Sequence, residues 1–187
     1  MSGADGSQDW VAAGLEVLAE GGVEGVRIEV VAQRLGVTKG GFYRRYRDRR
    51  SLLDAMLADW VEGRFAAIES QTELAGETPQ ARLRAVVDLF AERLNAQGLS
   101  IELAIRQWAR SDPAAAAAVA RVDALRLARV SGLYERLGVP PVEAEARALI
   151  FYAYLFGQGL LLQAADPNRR DALTEACAEV LIDVGVR

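Results

Sequence analysis

Between Thr38 and Arg50 the sequence runs Thr-Lys-Gly-Gly-Phe-Tyr-Arg-Arg-Tyr-Arg-Asp-Arg-Arg, six basic residues against one acid. That stretch carries +5 in a 187-residue chain of formal net charge −4, so everything outside it carries −9. Positive charge at such density neutralises phosphate esters, and neutralising several at once orients a protein on a nucleic-acid backbone. The chain's one lysine, Lys39, lies here, and Phe42, Tyr43 and Tyr46 are interleaved with the cations. With a pI near 5.1 the chain as a whole is a poor polyanion binder, so such chemistry is confined to this segment.

Other reactive constellations are scarce. Histidine is absent, which removes the commonest general base and the commonest transition-metal ligand. The single cysteine, Cys177, cannot form an intramolecular disulfide and reads, in its Glu-Ala-Cys-Ala setting, as a small buried hydrophobe. Asp88 and Glu92, four apart, read as a solvated helix face rather than an acid–base pair. No catalytic residue, metal site or cofactor is therefore expected. The longest apolar run, 148–162, is interrupted by Gly157, Gln158 and Gly159, and no basic-then-apolar leader opens the chain. The expectation is a cytoplasmic protein without a membrane span.

The elements that must carry the basic segment follow from apolar spacing and punctuation. Residues 1–8 read as a disordered arm. Asp9 is placed to cap a first helix with Trp10, Ala13, Val17 and Leu18 on one face, ended by Gly21-Gly22. A second helix covers 28–35, Gly36 breaks it, Val37 plugs the turn, and Thr38 caps a third helix over 39–46. On that helix Phe42 and Tyr46, four apart, face the core with Leu35 and Val37, which leaves Lys39, Gly40, Tyr43 and Arg44 outward. Helix, tight turn and helix are the units of a motif that inserts its second helix into the major groove. Two glycines within so short a helix cost about 1 kcal/mol each relative to alanine. Close approach to a groove and close packing on the second helix are both explanations.

The run from Val30 to Tyr46, with Arg49 and Leu52-Leu53, resembles the DNA-binding signature of the tetracycline-repressor (TetR) family over about residues 9–57. That family's pattern is an Ala-x-x-x-Gly-Val turn, a Tyr-x-x-Phe recognition helix and a Lys opening the fourth helix. Here Tyr46 stands for the Phe and Arg49 for the Lys, and Gly41 replaces a hydroxyl residue that contacts phosphate. The resemblance implies phosphate contacts by Tyr43, Arg45 and Arg49, a backbone contact by Arg27, and base-edge contacts by Lys39, Gly40 and Arg44. Thr38 and Gly41 complete the expected DNA-facing set.

Beyond this head, at 9–48, a larger body at 49–187 is expected to be all helical. Its helices are placed at 49–74, 79–96, 99–111, 113–137, 141–163 and 168–184, giving about nine in the chain, an all-α fold. The segment 148–156 is apolar all round, so both its faces must be covered. We expect one face to meet the body's core and the other a two-fold mate, with Ala144, Ala148 and Gly157 allowing close approach. The last helix, with Leu173, Ala176, Val180, Leu181 and Val184, would complete a homodimer seam, as the resemblance also implies. Trp60, Phe90, Trp108 and Tyr152 come from different helices and are candidates for lining an apolar effector pocket, with Arg106 as a polar anchor. Core packing is the plainer reading of each aromatic, and Arg106 reads equally as a surface charge.

Together these readings indicate a repressor that binds palindromic double-stranded operator DNA as a homodimer and is released by a small molecule. Two alternatives stay open: a dimeric DNA-binding regulator that needs no effector, and a helical enzyme or carrier.

Overall fold

The computed structural model describes residues 5–74, 78–93, 97–161 and 166–185. Among these residues every regular element is a helix: α1 (Asp5–Gly25), α2 (Ile28–Arg34), α3 (Lys39–Tyr43), α4 (Arg49–Leu74), α5 (Pro79–Arg93), α6 (Gln97–Trp108), α7 (Pro113–Arg136), α8 (Pro141–Leu161) and α9 (Pro167–Ile182). Four of them open on proline, whose fixed φ suits the first helical turn and whose missing N–H would be unsatisfied there anyway. Asp166 caps α9, its carboxylate accepting from the N–H groups of Asn168 at 3.0 Å and Arg169 at 3.2 Å. Gly36 (φ 67°) follows α2 and Gly138 (φ 84°) follows α7, left-handed positions that exit a helix without a Cβ clash.

The first helix departs from its sequence reading at both ends. Of the arm expected at 1–8, residues 1–4 lie outside the described residues, and Asp5 to Gln8 already belong to α1. Asp9 is therefore inside the helix and not its cap. Gly22 (φ 66°, ψ −177°) kinks α1 without ending it, and the helix resumes to Gly25. Residues 94–96 and 162–165, the ends expected for two later helices, lie outside the described residues.

The chain forms two compact units, residues 1–64 with 96–122 and residues 65–95 with 123–187. Their division does not follow the 48/49 boundary read from turn signals. In the first unit α1 packs on α6 and α2. Leu52, Leu53, Met56, Leu57 and Trp60 give the first half of α4 a buried stripe, and Trp10, Val17 and Leu18 of α1 and Ile105 and Trp108 of α6 are buried in the same unit. Apolar burial of this kind is worth roughly 1.5–3 kcal/mol per large side chain, so the head's core is built from segments distant in sequence.

In the second unit Leu83, Val86 and Val87 of α5 join Val130, Leu133 and Tyr134 of α7, Ala144, Ala148, Phe151, Tyr152 and Leu155 of α8, and Ala178 of α9. The Tyr134 hydroxyl donates to the Leu181 carbonyl at 2.8 Å, satisfying an acceptor near the end of α9. Helices α4 and α7 each contribute residues to both units.

Candidate nucleic-acid interface and interior effector site

The turn between α2 and α3 is closed by the backbone. Val37 N–H donates to the Ala32 carbonyl at 3.0 Å, and Gly41 N–H to the Thr38 carbonyl at 3.0 Å. Thr38 occupies the N-cap position in extended conformation, but its side chain caps no N–H. Regular helix stops at Tyr43, short of the expected Tyr46, and Arg45 and Tyr46 continue as a turn whose N–H groups share the Phe42 carbonyl.

Phe42 anchors this short element. It is fully buried, its ring meeting Trp10 edge-on at 5.3 Å and lying against Tyr46 at 5.4 Å. Phe42 and Tyr46 thus face the core as the i,i+4 spacing predicts. Val37 does not: it is 47 % exposed, because the backbone bond to Ala32 already closes the turn. With Phe42 fixed, Tyr43 projects outward, edge-on to Phe42 at 5.2 Å and 61 % exposed. Arg27, Lys39, Gly40, Arg44 and Arg45 are exposed around it, and Gly41 is half-buried. Among the described residues no carboxylate pairs with Arg44 or Arg45.

Two of the expected contacts are engaged within the protein. Lys39 Nζ donates to Glu29 Oε1 of α2, and that bond holds the Glu29 carboxyl below its ordinary range. Arg49 is half-buried: its Nε donates to the Val26 carbonyl at 2.6 Å and Nη2 to the Val23 carbonyl, so it ties α4 to the α1–α2 corner rather than extending into solvent. The Val23 carbonyl also accepts from the Val26 N–H at 3.2 Å, and a cation is a natural second donor to carbonyls at the negative end of a helix. Next to it, Asp48 and Ser51 cap α4 reciprocally, Ser51 N–H to Asp48 Oδ1 at 2.9 Å and Asp48 N–H to Ser51 Oγ at 3.2 Å. Arg50 binds both Asp54 and Asp112. Glu29 and Arg47, the latter paired with Asp48 at 2.9 Å, belong to this surface although the spacing argument passed over them.

The five residues proposed from sequence as an effector pocket come from both units. Trp60, Arg106 and Trp108 belong to the first unit, Phe90 and Tyr152 to the second. Both tryptophans are buried core residues. Arg106 pairs at 2.9 Å with the buried Glu102 one turn earlier, which occupies the cation expected to anchor a ligand.

In the second unit Phe90 and Tyr152 do meet, at 6.4 Å, and Phe156 closes a triad at 6.1 Å from Phe90 and 6.3 Å from Tyr152. Over it lies Arg126 of α7, 4 % exposed, its guanidinium carbon 5.3 Å from the Phe156 centroid and 6.0 Å from that of Tyr152. Asp123 faces one of its nitrogens at 3.5 Å. Sequence reading missed Arg126, though a signal was present. It stands in the helical row Val122, Val130 and Leu133, a charge in an otherwise apolar stripe. Cys177 is half-buried rather than buried.

The fold and this head define a helix-turn-helix protein. Residues 11–56 match the family described as bacterial regulatory proteins, tetR family, so that segment is a TetR-type DNA-binding head. Two curated relatives are similar. The HTH-type transcriptional repressor KstR of Mycolicibacterium smegmatis is 32 % identical over 111 residues, which is 59 % of this chain and 54 % of that protein. The HTH-type transcriptional regulator YezE of Bacillus subtilis is 29 % identical over 82 residues, 44 % of this chain and 40 % of that protein. The match thus spans about half the length of these relatives. Among solved structures, a TetR transcription regulator from Haloarcula marismortui has the same fold at TM-score 0.75 and 19 % identity, covering 96 % of this chain and 97 % of that one. FadR from Bacillus subtilis, solved with stearoyl-CoA, shares it at TM-score 0.71 and 17 % identity, covering 96 % and 99 %.

Proposed function

We propose that the chain is a cytoplasmic transcription repressor, not an enzyme, that binds double-stranded operator DNA through α2 and α3. The observation that carries the reading is the outward presentation of Tyr43, Arg44 and Arg45 around a Phe42 anchor that is itself fully buried. In this reading Arg44, with Lys39 and Gly40, reads base edges, while Arg27, Thr38, Gly41, Tyr43 and Arg45 contact the backbone. Arg49 fixes the head against which those residues are held.

The operator is palindromic because the protein acts as a homodimer. Val142, Leu149, Ile150 and Leu161 of α8 and Leu173 and Val180 of α9 are exposed apolar residues on two neighbouring helices. A second copy of the same face is the simplest cover for such a surface, since a two-fold interface is self-complementary. Ala144 and Ala148, expected in that seam, are instead fully buried in the unit's own core, because they share the helical row of Phe151 and Leu155.

Release follows from a small molecule in the second unit, a reading supported by the buried polar cluster at Arg126 and by the stearoyl-CoA held by the FadR neighbour. Selection of random duplexes by the purified protein, followed by anisotropy titration of the winning sequence, tests the whole. The expected product is a two-fold symmetric site with half-sites one helical turn apart, about 34 Å. Recovery of no consensus, or equal affinity for random duplex at physiological salt, refutes it.

A further inference from the structure

We propose that Gly40 and Gly41 form a bare face on α3 through which the recognition element lies directly against the major groove of the operator, so that the absence of side chains there sets how closely the head docks. The proposal deepens the DNA-binding reading above and rests on it.

Other glycines of this head have reasons inside the protein. At Gly22 (φ 66°) and Gly36 (φ 67°) the backbone is left-handed, a conformation that a Cβ disfavours. At Gly14 an added Cβ would come within 2.7 Å of Met56 Sδ, so the fully buried Met56 would have to shift. Neither reason holds in α3. Gly40 and Gly41 both lie outside the left-handed region. An added Cβ at Gly41 would meet no heavy atom within 4 Å, and one at Gly40 only Thr38 Oγ1 at 3.6 Å, an ordinary contact. Close packing on α2, one of the two explanations that the sequence left open, is thereby removed.

Two glycines in succession occupy a helix of only five residues, where each lowers helix stability relative to alanine. Open space around a glycine is not by itself a docking surface, as Gly63 of α4 shows. Placement distinguishes the pair in α3. Gly40 stands three and four residues before Tyr43 and Arg44, and Gly41 three and four before Arg44 and Arg45, so each shares a face with long side chains that are exposed. Those side chains surround a gap where the backbone itself is the surface. The major groove is about 12 Å wide, and a helix with its side chains is about 10–12 Å across, so the fit leaves little slack. A methyl on the groove side must move the helix outward. Without one, the backbone of α3 sits deeper while Tyr43, Arg44 and Arg45 reach the phosphates and base edges around it.

Thermal melting of the free full-length chain and anisotropy titration on the selected operator test the proposal through two effects of opposite sign. Gly40→Ala and Gly41→Ala should each leave the melting temperature unchanged or raise it by up to about 4 °C, yet weaken operator binding by roughly fivefold or more. Gly63→Ala is the control: its melting should respond in the same direction while operator affinity stays that of the wild type. Gly41→Ser separates a bare face from a missing hydroxyl. It should weaken binding, whereas tighter binding would show that the position merely lacks a phosphate contact and would overturn the proposal. A smaller loss of affinity in either alanine variant overturns it too, as does an equal loss in Gly63→Ala. Weaker binding accompanied by a lower melting temperature would assign the glycines to the fold instead. A wild-type chain without operator preference refutes the DNA-binding reading and the proposal with it; a preference that survives both alanine substitutions leaves that reading standing and refutes the bare face.

Discussion

Arg50, in the first turn of α4, reaches 62 residues along the chain to Asp112, the residue that caps α7. Asp112 accepts from the N–H groups of Ala114 at 2.9 Å and Ala115 at 3.0 Å as well, so one carboxylate serves a helix terminus and a long-range ion pair. Arg49, immediately before, bonds the Val23 and Val26 carbonyls. The start of α4, adjacent to the recognition element, is thereby tied both to the α1–α2 corner and to the α6–α7 corner of the same unit.

Asp112→Ala should cost more stability than Arg50→Ala. The aspartate loses a cap worth about 0.5–2 kcal/mol together with the pair, whereas an exposed arginine in an ion pair contributes about 0–1 kcal/mol. Urea denaturation of both single variants and the double variant measures the coupling. Equal losses would show that the cap contributes nothing.

Acid should weaken the protein in a defined window. Arg50 holds the Asp112 carboxyl below its ordinary range, and Arg34 does the same to Glu20, Lys39 to Glu29 and Arg84 to Glu175. Each group binds its proton less readily folded than unfolded, so its contribution is present above the unfolded pKa of about 4 and is lost as pH falls through the lower folded value. Stability followed by circular dichroism should be flat near neutrality in respect of these groups and fall below about pH 4. A Glu175→Gln, Asp112→Asn double variant should show a shallower fall.

Base-reading and backbone contacts on the head should separate by their sequence and salt dependence. Arg44→Ala should lose about 1–3 kcal/mol of operator affinity and relax preference at one base pair, and Arg45→Ala should weaken all sequences alike and reduce the salt slope by about 1. Glu29→Gln should tighten binding by releasing Lys39 and removing a negative charge beside the phosphates. Arg49→Ala should lower the melting temperature of the free protein, a loss that a residue acting only on phosphate would not cause.

A charge on the outward face of α8 distinguishes self-association from folding. Ile150→Glu, on a residue 60 % exposed, should leave helicity and melting of the monomer intact while shifting the sedimentation coefficient from dimer to monomer. Ala148→Glu, fully buried, should unfold the unit instead. A wild-type chain sedimenting as a monomer at micromolar concentration would refute the homodimer.

Tyr134 reports the second unit's integrity in base. Burial pushes its hydroxyl up to about 12, with the nearby Arg147 guanidinium opposing. The folded state holds this proton more tightly than the unfolded one, so its contribution persists to about pH 10 and is lost as pH rises toward 12. Burial also raises the Tyr154 hydroxyl, so absorbance titration should show more than one tyrosine ionising late, and Tyr134→Phe should remove its share of that phase at a cost of about 1 kcal/mol for the bond to Leu181.

What the sequence determined by itself was local. Helical spacing of apolar residues, prolines at helix starts and glycines after helix ends fixed the number, order and approximate bounds of the helices, because each depends on neighbours within a turn or two. The same locality made the inward set Phe42 and Tyr46 and the outward set Lys39, Tyr43 and Arg44 readable on one short element. Tertiary structure decided which cations remain available. Arg49 reaches carbonyls 23 and 26 residues earlier and Arg50 an aspartate 62 residues later, distances over which no spacing rule operates. It also decided that Ala148 faces inward while Leu149 and Ile150 face out on a helix apolar on both sides, since hydrophobicity there does not distinguish a core from an interface. Finally, it brought Phe90, Tyr152 and Phe156 under Arg126, from three helices whose association depends on side-chain packing across the unit and on the cost of burying one charge there.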